Sequence, residues 1–151
     1  MRLLISTVFG LVLLVSGAYA DAQMVTKPSG NDVKTTMDRL EAAVNKAGAT
    51  VFARVNHAGG AAKVDMELQP MEVLIFGNPK LGTPIIQAAP QAGLDLPIKV
   101  LVWQDGDKVM IGYLDPQALK ARYNAAGADG DLSHLQAEAI GRLKTRLAIN
   151  V

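Results

Sequence analysis

Short apolar runs separated by corners that contain glycine and proline organise the middle of this chain, residues 72–103. Val73–Phe76 and Val100–Trp103 are apolar and rich in β-branched or aromatic residues, which is typical of strands covered on both faces. Gly77-Asn78-Pro79 ends the first run, because proline removes a ladder donor and glycine and asparagine tolerate turn conformations. The pattern therefore predicts two buried strands, with corners between them.

A short helix is predicted between the two strands. Thr83-Pro84 fits a helix cap followed by proline at the first helical position, and Asn78-Pro79 is an alternative start in which Pro84 kinks the helix. Pro90 ends the helix, and Gly93 returns the chain to an extended path.

The residues on either side of this region predict further helices and strands. Apolar residues spaced four, three and four apart predict a first helix from Asn31 or Asp32 to Ala47, with Ser29, Asn31 and Asp32 as competing caps. The other predicted elements are a strand at Thr50–Asn56, a short helix at Ala61–Leu68 with Val64 and Leu68 inward, a hairpin turn at Asp105-Gly106-Asp107, a strand at Lys108–Tyr113, a helix from Asp115-Pro116 to Tyr123 and a last helix at 132–149.

These elements predict one α+β domain over residues 31–151. It has two layers, in which a mixed, mainly antiparallel sheet is covered by helices. The sequence shows neither an internal repeat nor a low-complexity tract.

Residues 1–20 have the pattern of a signal peptide. Arg2 supplies the positive end, an apolar run follows, and Ala18-Tyr19-Ala20 is a small-x-small cleavage site. The alternative, an uncleaved anchor helix, requires a longer apolar run, because a membrane span needs about 20 residues. We therefore expect a periplasmic or secreted protein that begins at Asp21, has no stable membrane anchor after cleavage, and starts with a flexible lead-in at 21–30.

Composition excludes several classes of function. The full sequence has a formal charge of +1, and removal of Arg2 with the leader leaves zero, so the basic surface that binds nucleic acid is not expected. The chain contains no cysteine, which excludes disulfides, thiol catalysis and lipoprotein processing.

Several separated glycine and proline positions together resemble a known family. The segments are Glu72–Pro79, Gly82-Thr83-Pro84, Ala88-Ala89-Pro90 and Gly93–Pro97, and the likeness extends from Val33 to Tyr123. They resemble the signature of domain-of-unknown-function family 302 (DUF302). The resemblance implies a small α/β domain with helices on a curved sheet, usually a homodimer, and it carries no established reaction.

His57 is the first candidate for a functional residue, since it follows a strand and precedes Gly59-Gly60, which allow close approach to the backbone. An imidazole there fits an axial ligand of non-covalently bound haem b or a general base, and the alternative is a histidine bonded to a backbone carbonyl. The family resemblance places a similar histidine after the strand. His134 is expected to be exposed, and with two histidines in the sequence a tetrahedral zinc site is not supported.

The remaining candidates are Asp95, Asn78 and Thr83. Asp95 lies between Leu94 and Leu96, where a carboxylate is either buried with a raised pKa or bonded to a turn. Asn78 or Thr83 at a helix start exposes backbone N–H groups. The leading interpretation is an exported binding module with an apolar pocket; an enzyme that uses His57 and Asp95 as acid/base groups and a structural dimeric interaction protein are the alternatives.

Overall fold

The computed structural model describes residues 24–115, 118, 122 and 123. The strands are β1 (Met24–Ser29), β2 (Thr50–Asn56), β3 (Met71–Gly77), β4 (Ile98–Asp105) and β5 (Lys108–Leu114). The helices are α1 (Val33–Lys46), α2 (His57–Ala62) and α3 (Pro79–Ala88), followed by a 3₁₀ helix at Pro90–Leu94.

The five strands form one sheet in the order β1-β5-β4-β3-β2. This arrangement confirms the predicted α+β class. All four pairings among the described strands are antiparallel, so the parallel part of a mixed sheet is not found there. The strands predicted at the centre of the chain, β3 and β4, are neighbours near the middle of the sheet.

Helix α1 covers one face of the sheet, where it contacts β2, β3 and β4. Its cap is Asp32, whose side chain accepts a hydrogen bond of 2.7 Å from the Thr35 backbone N–H. Alternate residues of the central strands point toward α1 and are fully buried with its apolar stripe; they include Leu74, Phe76, Val100 and Val102 together with Met37, Leu40 and Val44.

Four predictions about local structure are wrong. Gly93 does not return the chain to an extended path, because it lies within the 3₁₀ helix at Pro90–Leu94. Residues 24–29 are a strand rather than a lead-in: the segment is polar, but it pairs with β5 at the edge of the sheet, where Pro28 is tolerated. The short helix is at His57–Ala62 rather than 61–68, because the Asn56 side chain caps it through the Gly59 N–H at 2.7 Å. Val64 and Leu68 are consequently exposed instead of inward, at 64% and 45%.

The start of α3 is Asn78-Pro79, the second of the two predicted alternatives. The Asn78 Oδ1 accepts a hydrogen bond of 3.0 Å from the Lys80 backbone N–H, Pro79 occupies the first turn, and Pro84 lies inside the helix. The Asp105-Gly106-Asp107 turn is found as predicted, with Gly106 at φ +57°. The predicted helix at 132–149 and the leader lie outside the described residues.

Candidate functional site

An apolar pocket of about 200 Å³ opens at the end of the sheet where β3 ends and β4 begins. It lies between the first turns of α3, the start of β4 and the side chain of Phe52 from β2. The complete lining is Phe52, Gly77, Asn78, Pro79, Gly82, Thr83, Ile86, Leu96, Pro97 and Ile98. An apolar cavity of about 150 Å³ is enough for a benzene ring, so this pocket matches a group of about one ring.

Two glycines, Gly77 and Gly82, lie in the wall of this pocket. A Cβ built on Gly77 would lie 3.4 Å from Pro97 Cβ and 3.9 Å from Phe52 Cε2, so both side chains pack closely over the end of β3. A Cβ built on Gly82 would meet no atom of the described residues within 4 Å. Position 82 therefore has room for a larger side chain, which would reduce the volume of the pocket.

Two polar side chains accompany the apolar lining. Asn78 is half-buried and uses its Oδ1 for the helix cap, while Thr83 is exposed on the next turn of α3. Their amide and hydroxyl groups give the pocket hydrogen-bonding capacity beside its apolar wall. The pocket thus suits an apolar group that carries a polar end.

Asp95 lies directly before the pocket residues Leu96 and Pro97, but its carboxylate is used for structure. Asp95 Oδ2 accepts hydrogen bonds of 2.6 Å from the Tyr123 hydroxyl and 2.8 Å from Arg122. The Tyr123 bond, and after it Arg122, hold the pKa of Asp95 below its ordinary value of 3.8, against the opposing effect of burial. The Asp95 carboxylate thus binds two side chains that are distant in sequence, whereas the sequence predicted a bond to a turn, and its pKa is lowered where a buried carboxylate was predicted to have a raised one.

His57 lies at the opposite end of the sheet. It is the first residue of α2 and is exposed. Asn56, next to it, pairs with Glu72 at the start of β3, whereas the pocket begins beyond Phe76. Glu72 and Phe76 are four residues apart on β3, which is a distance of about 13 Å at about 3.3 Å per residue. His57 and Asp95 are therefore not brought together as an acid/base pair in this arrangement.

A charged cluster joins α1 to the sheet away from the pocket. Arg54 of β2 donates to Glu72 at 2.5 Å and to Asp38 at 2.6 Å, and its guanidinium lies 3.4 Å from Glu41. These contacts raise the pKa of Arg54, with the Glu72 hydrogen bond as the largest cause. Among the described residues, no group of three or more histidine, cysteine or acidic side chains is placed to hold a metal ion.

Asn78 and Thr83 are the candidates from the sequence that line the pocket, whereas its apolar walls were not predicted. The sequence predicted Phe52 only as part of the strand Thr50–Asn56, in which it alternates with Val51 and Ala53. The sheet register shifts between Val51 and Ala53, and this irregularity coincides with Phe52, which is 53% exposed at the pocket. The sequence signal for this part of the pocket is Phe52 itself, an aromatic residue on the side of the alternating strand that also carries Arg54.

The pocket and the two-layer architecture define a small α+β domain with an apolar pocket at one end of its sheet. The model of the family "Domain of unknown function DUF302" matches residues 25–148, and the chain belongs to this family. The crystal structure of an uncharacterized conserved DUF302 protein from Bacillus stearothermophilus has the same fold: the TM-score is 0.61 at 22% identity, over 83% of this chain and 92% of that one.

The chain is also similar to part of three larger Brucella proteins. It is 41% identical over 105 residues to "Fluoride-specific ion channel FluC 1" of Brucella suis biovar 1 (strain 1330) and to that of Brucella abortus biovar 1 (strain 9-941). The match covers 69% of this chain but 41% and 39% of those relatives, so this chain spans about two fifths of their length. Within the described residues of this chain, no helix has the length and apolar character needed to cross a membrane.

Proposed function

We propose that this protein is an exported binding module whose pocket holds a compact apolar group with a polar end. The pocket lined by Phe52, Gly82, Thr83 and Ile86 is the observation that carries the proposal. Its size supports a group of about one ring, since pockets that enclose drug-sized ligands measure about 300–1,000 Å³. The signal-peptide pattern of residues 1–20 supports export.

Binding in this pocket can be tested with p-cresol as the probe, because it joins one apolar ring to one hydroxyl. In a two-dimensional amide NMR titration, we expect p-cresol to shift the signals of Gly77, Gly82 and Ile86. In the Gly82→Leu variant the added side chain occupies open space at the wall, so these shifts should be lost. Leucine is a good helix former, and we therefore expect α3 to remain folded.

Gly60→Leu is the matched control. Gly60 is also a helical glycine, no atom of the part of the chain that the structure describes lies within 4 Å of a Cβ built on it, and it is on α2 at the other end of the sheet. This variant should bind p-cresol as the wild type does. Pocket signals that do not move in the wild type, or that move equally in Gly82→Leu, would contradict the proposal.

Haem b ligated by His57 stays a separate prediction. The pocket and His57 lie at different ends of β3, so a haem bound through His57 would use another surface of the protein. The exposed position of His57 leaves its imidazole accessible to a ligand.

A second candidate function is an accessory role beside a membrane channel. The observation that favours it is the 41% identity to part of proteins named as fluoride-specific ion channels. Among the described residues the pocket lining is mainly apolar, and its polar side chains are Asn78 and Thr83, fewer than the dense set of hydrogen-bond donors that a desolvated fluoride ion requires. The proposed role is therefore contact with a channel rather than fluoride binding. Deleting the gene should increase sensitivity to sodium fluoride, and unchanged growth across fluoride concentrations would contradict this candidate.

A further inference from the structure

Methionine side chains surround the single tryptophan of this chain. Of the six methionines in the sequence, Met24, Met71 and Met110 lie on the face of the sheet opposite α1. Trp103 lies on the same face, where it pairs with Met71 across β3 and β4 and with Met110 across β4 and β5. Side chains directly opposite in an antiparallel sheet have Cβ atoms about 4.5–5.5 Å apart, so both methionines are neighbours of Trp103.

The indole of Trp103 extends toward β5 and β1, away from Met71. A Cβ built on Gly112 would be 2.9 Å from Trp103 Cζ3 and 3.5 Å from Met24 Sδ. The ring edge and the thioether sulfur therefore lie side by side over this glycine, although Met24 pairs with Leu114, two residues further along β5. Position 112 has no side chain of its own, and this leaves room for both groups.

Met110 approaches the same ring from the other side. It lies two residues before Gly112 on the same face of β5, about 7 Å away at about 3.4 Å per residue. A methionine side chain has three rotatable bonds, so the Met110 sulfur is within reach of the indole edge. Two thioethers and one aromatic ring are thus available at one spot of the sheet surface. Met24 is 46% exposed, and Trp103 and Met110 are half-buried, so a small solute reaches this spot.

The surroundings of this spot carry little net charge. Among the described strand residues, the nearest charged side chains that strand alternation places on this face are Asp105 and Lys108. They lie opposite each other beside the hairpin turn, so their charges cancel. A cation held here therefore depends on its ligands and on the aromatic ring rather than on a neighbouring carboxylate.

We propose that the thioethers of Met24 and Met110 bind Cu(I) beside the indole of Trp103. Thioethers are soft, uncharged ligands, which favour Cu(I) over hard cations such as Mg²⁺ and Ca²⁺. Because both ligands are neutral, the metal keeps its single positive charge, and the electron-rich face of an indole attracts a cation within about 6 Å. Apolar packing on a sheet surface is met equally well by leucine or valine, whereas methionine adds a metal ligand.

This site is separate from the other candidate sites of the chain. Trp103 pairs with Met71 at the start of β3, whereas the apolar pocket lies beyond Phe76 at the end of that strand. The proposed ligands include neither a histidine nor a carboxylate, so the site is also independent of haem binding through His57. Its test therefore does not depend on the binding proposed for the pocket.

Competition with the coloured chelator bicinchoninate, without oxygen, measures the affinity of the purified protein for Cu(I). The wild type should take one equivalent of Cu(I) from the chelator. Met24→Leu and Met110→Leu should each weaken binding at least about tenfold, because each removes one sulfur ligand while leucine keeps the volume. In the wild type, Cu(I) should also quench the fluorescence of Trp103, and the quenching should saturate at one equivalent.

Two further leucine variants are matched controls. Met71→Leu replaces the methionine that neighbours Trp103 on the side away from the indole, and Met66→Leu replaces one that is 65% exposed outside the strands. Both should bind Cu(I) and show quenching as the wild type does. Far-UV circular dichroism should show that all four variants are folded.

Three results would overturn the proposal. The first is a wild type that takes no Cu(I) from bicinchoninate or whose tryptophan fluorescence is unchanged by it. The second is binding by Met24→Leu and Met110→Leu that is as tight as binding by Met66→Leu. The third is loss of Cu(I) in His57→Ala while Met24→Leu and Met110→Leu retain it, because the metal would then bind at the histidine.

Discussion

The contact between Arg54 and Glu72 gives a prediction whose size follows from burial. Glu72 is 9% exposed, and the Arg54 side chain is 25% exposed. Removing one partner of a buried ion pair costs about 3–5 kcal/mol, and partial exposure of the arginine reduces this figure. Arg54→Met leaves the carboxylates of Glu72, Asp38 and Glu41 without their shared cation, and we expect a loss of about 2–3 kcal/mol in the free energy of unfolding.

The double variant Arg54→Met/Glu72→Met should be more stable than the sum of the two single changes predicts. Replacing both partners of a buried pair by apolar residues is often close to neutral, so a coupling energy of about 1–2 kcal/mol is expected. Urea denaturation measures all four proteins. Lys34→Met is the control: it also removes a cation from Asp38, but Lys34 is 79% exposed, and the loss should stay below about 1 kcal/mol. Additive single effects, or an equal loss in Lys34→Met, would refute the reasoning.

Three further predictions concern other parts of the fold. Asp95→Asn should lower the free energy of unfolding, measured by urea titration, by about 1.5 kcal/mol at pH 7. The folded-state pKa of Asp95 is below its ordinary value of 3.8. The difference in stability between the wild type and the variant should therefore be constant above about pH 5 and should fall as the pH drops through the lowered pKa. Gly112→Ala should displace the Trp103 indole, which lies 2.9 Å from the added carbon, and change the fluorescence of the single tryptophan; an unchanged spectrum would contradict the contact. If His57 ligates haem, His57→Ala should remove the Soret band of protein expressed with added haem while changing the melting temperature little; haem binding that is unaltered by the substitution would contradict this ligand.

The fold was largely predictable because hydrophobic alternation and corner residues act locally. The two central strands, the Gly106 turn and the first helix follow from short sequence patterns that the structure confirms. Strand β1 was missed because its polar residues and Pro28 signal a loop, and only pairing with β5 at the sheet edge makes the segment a strand.

The pocket was predictable only in part, because it depends on contacts between distant segments. Asn78 and Thr83 were identified from helix-start patterns, but Phe52 reaches the same pocket from a strand more than twenty residues earlier. The environment of Asp95 likewise depends on a residue distant in the sequence, because its main hydrogen-bond partner is Tyr123. A single sequence shows the residue types and cannot show which of them meet.

The most direct test of the binding proposal is to locate p-cresol on the protein by intermolecular nuclear Overhauser effects. If the pocket is the binding site, the methyl group of p-cresol should show effects to Ile86 and to the ring of Phe52, and these should vanish in Gly82→Leu. Effects to Trp103, on the face of the sheet opposite α1, in place of these, or none from the pocket residues at saturating p-cresol, would contradict the account.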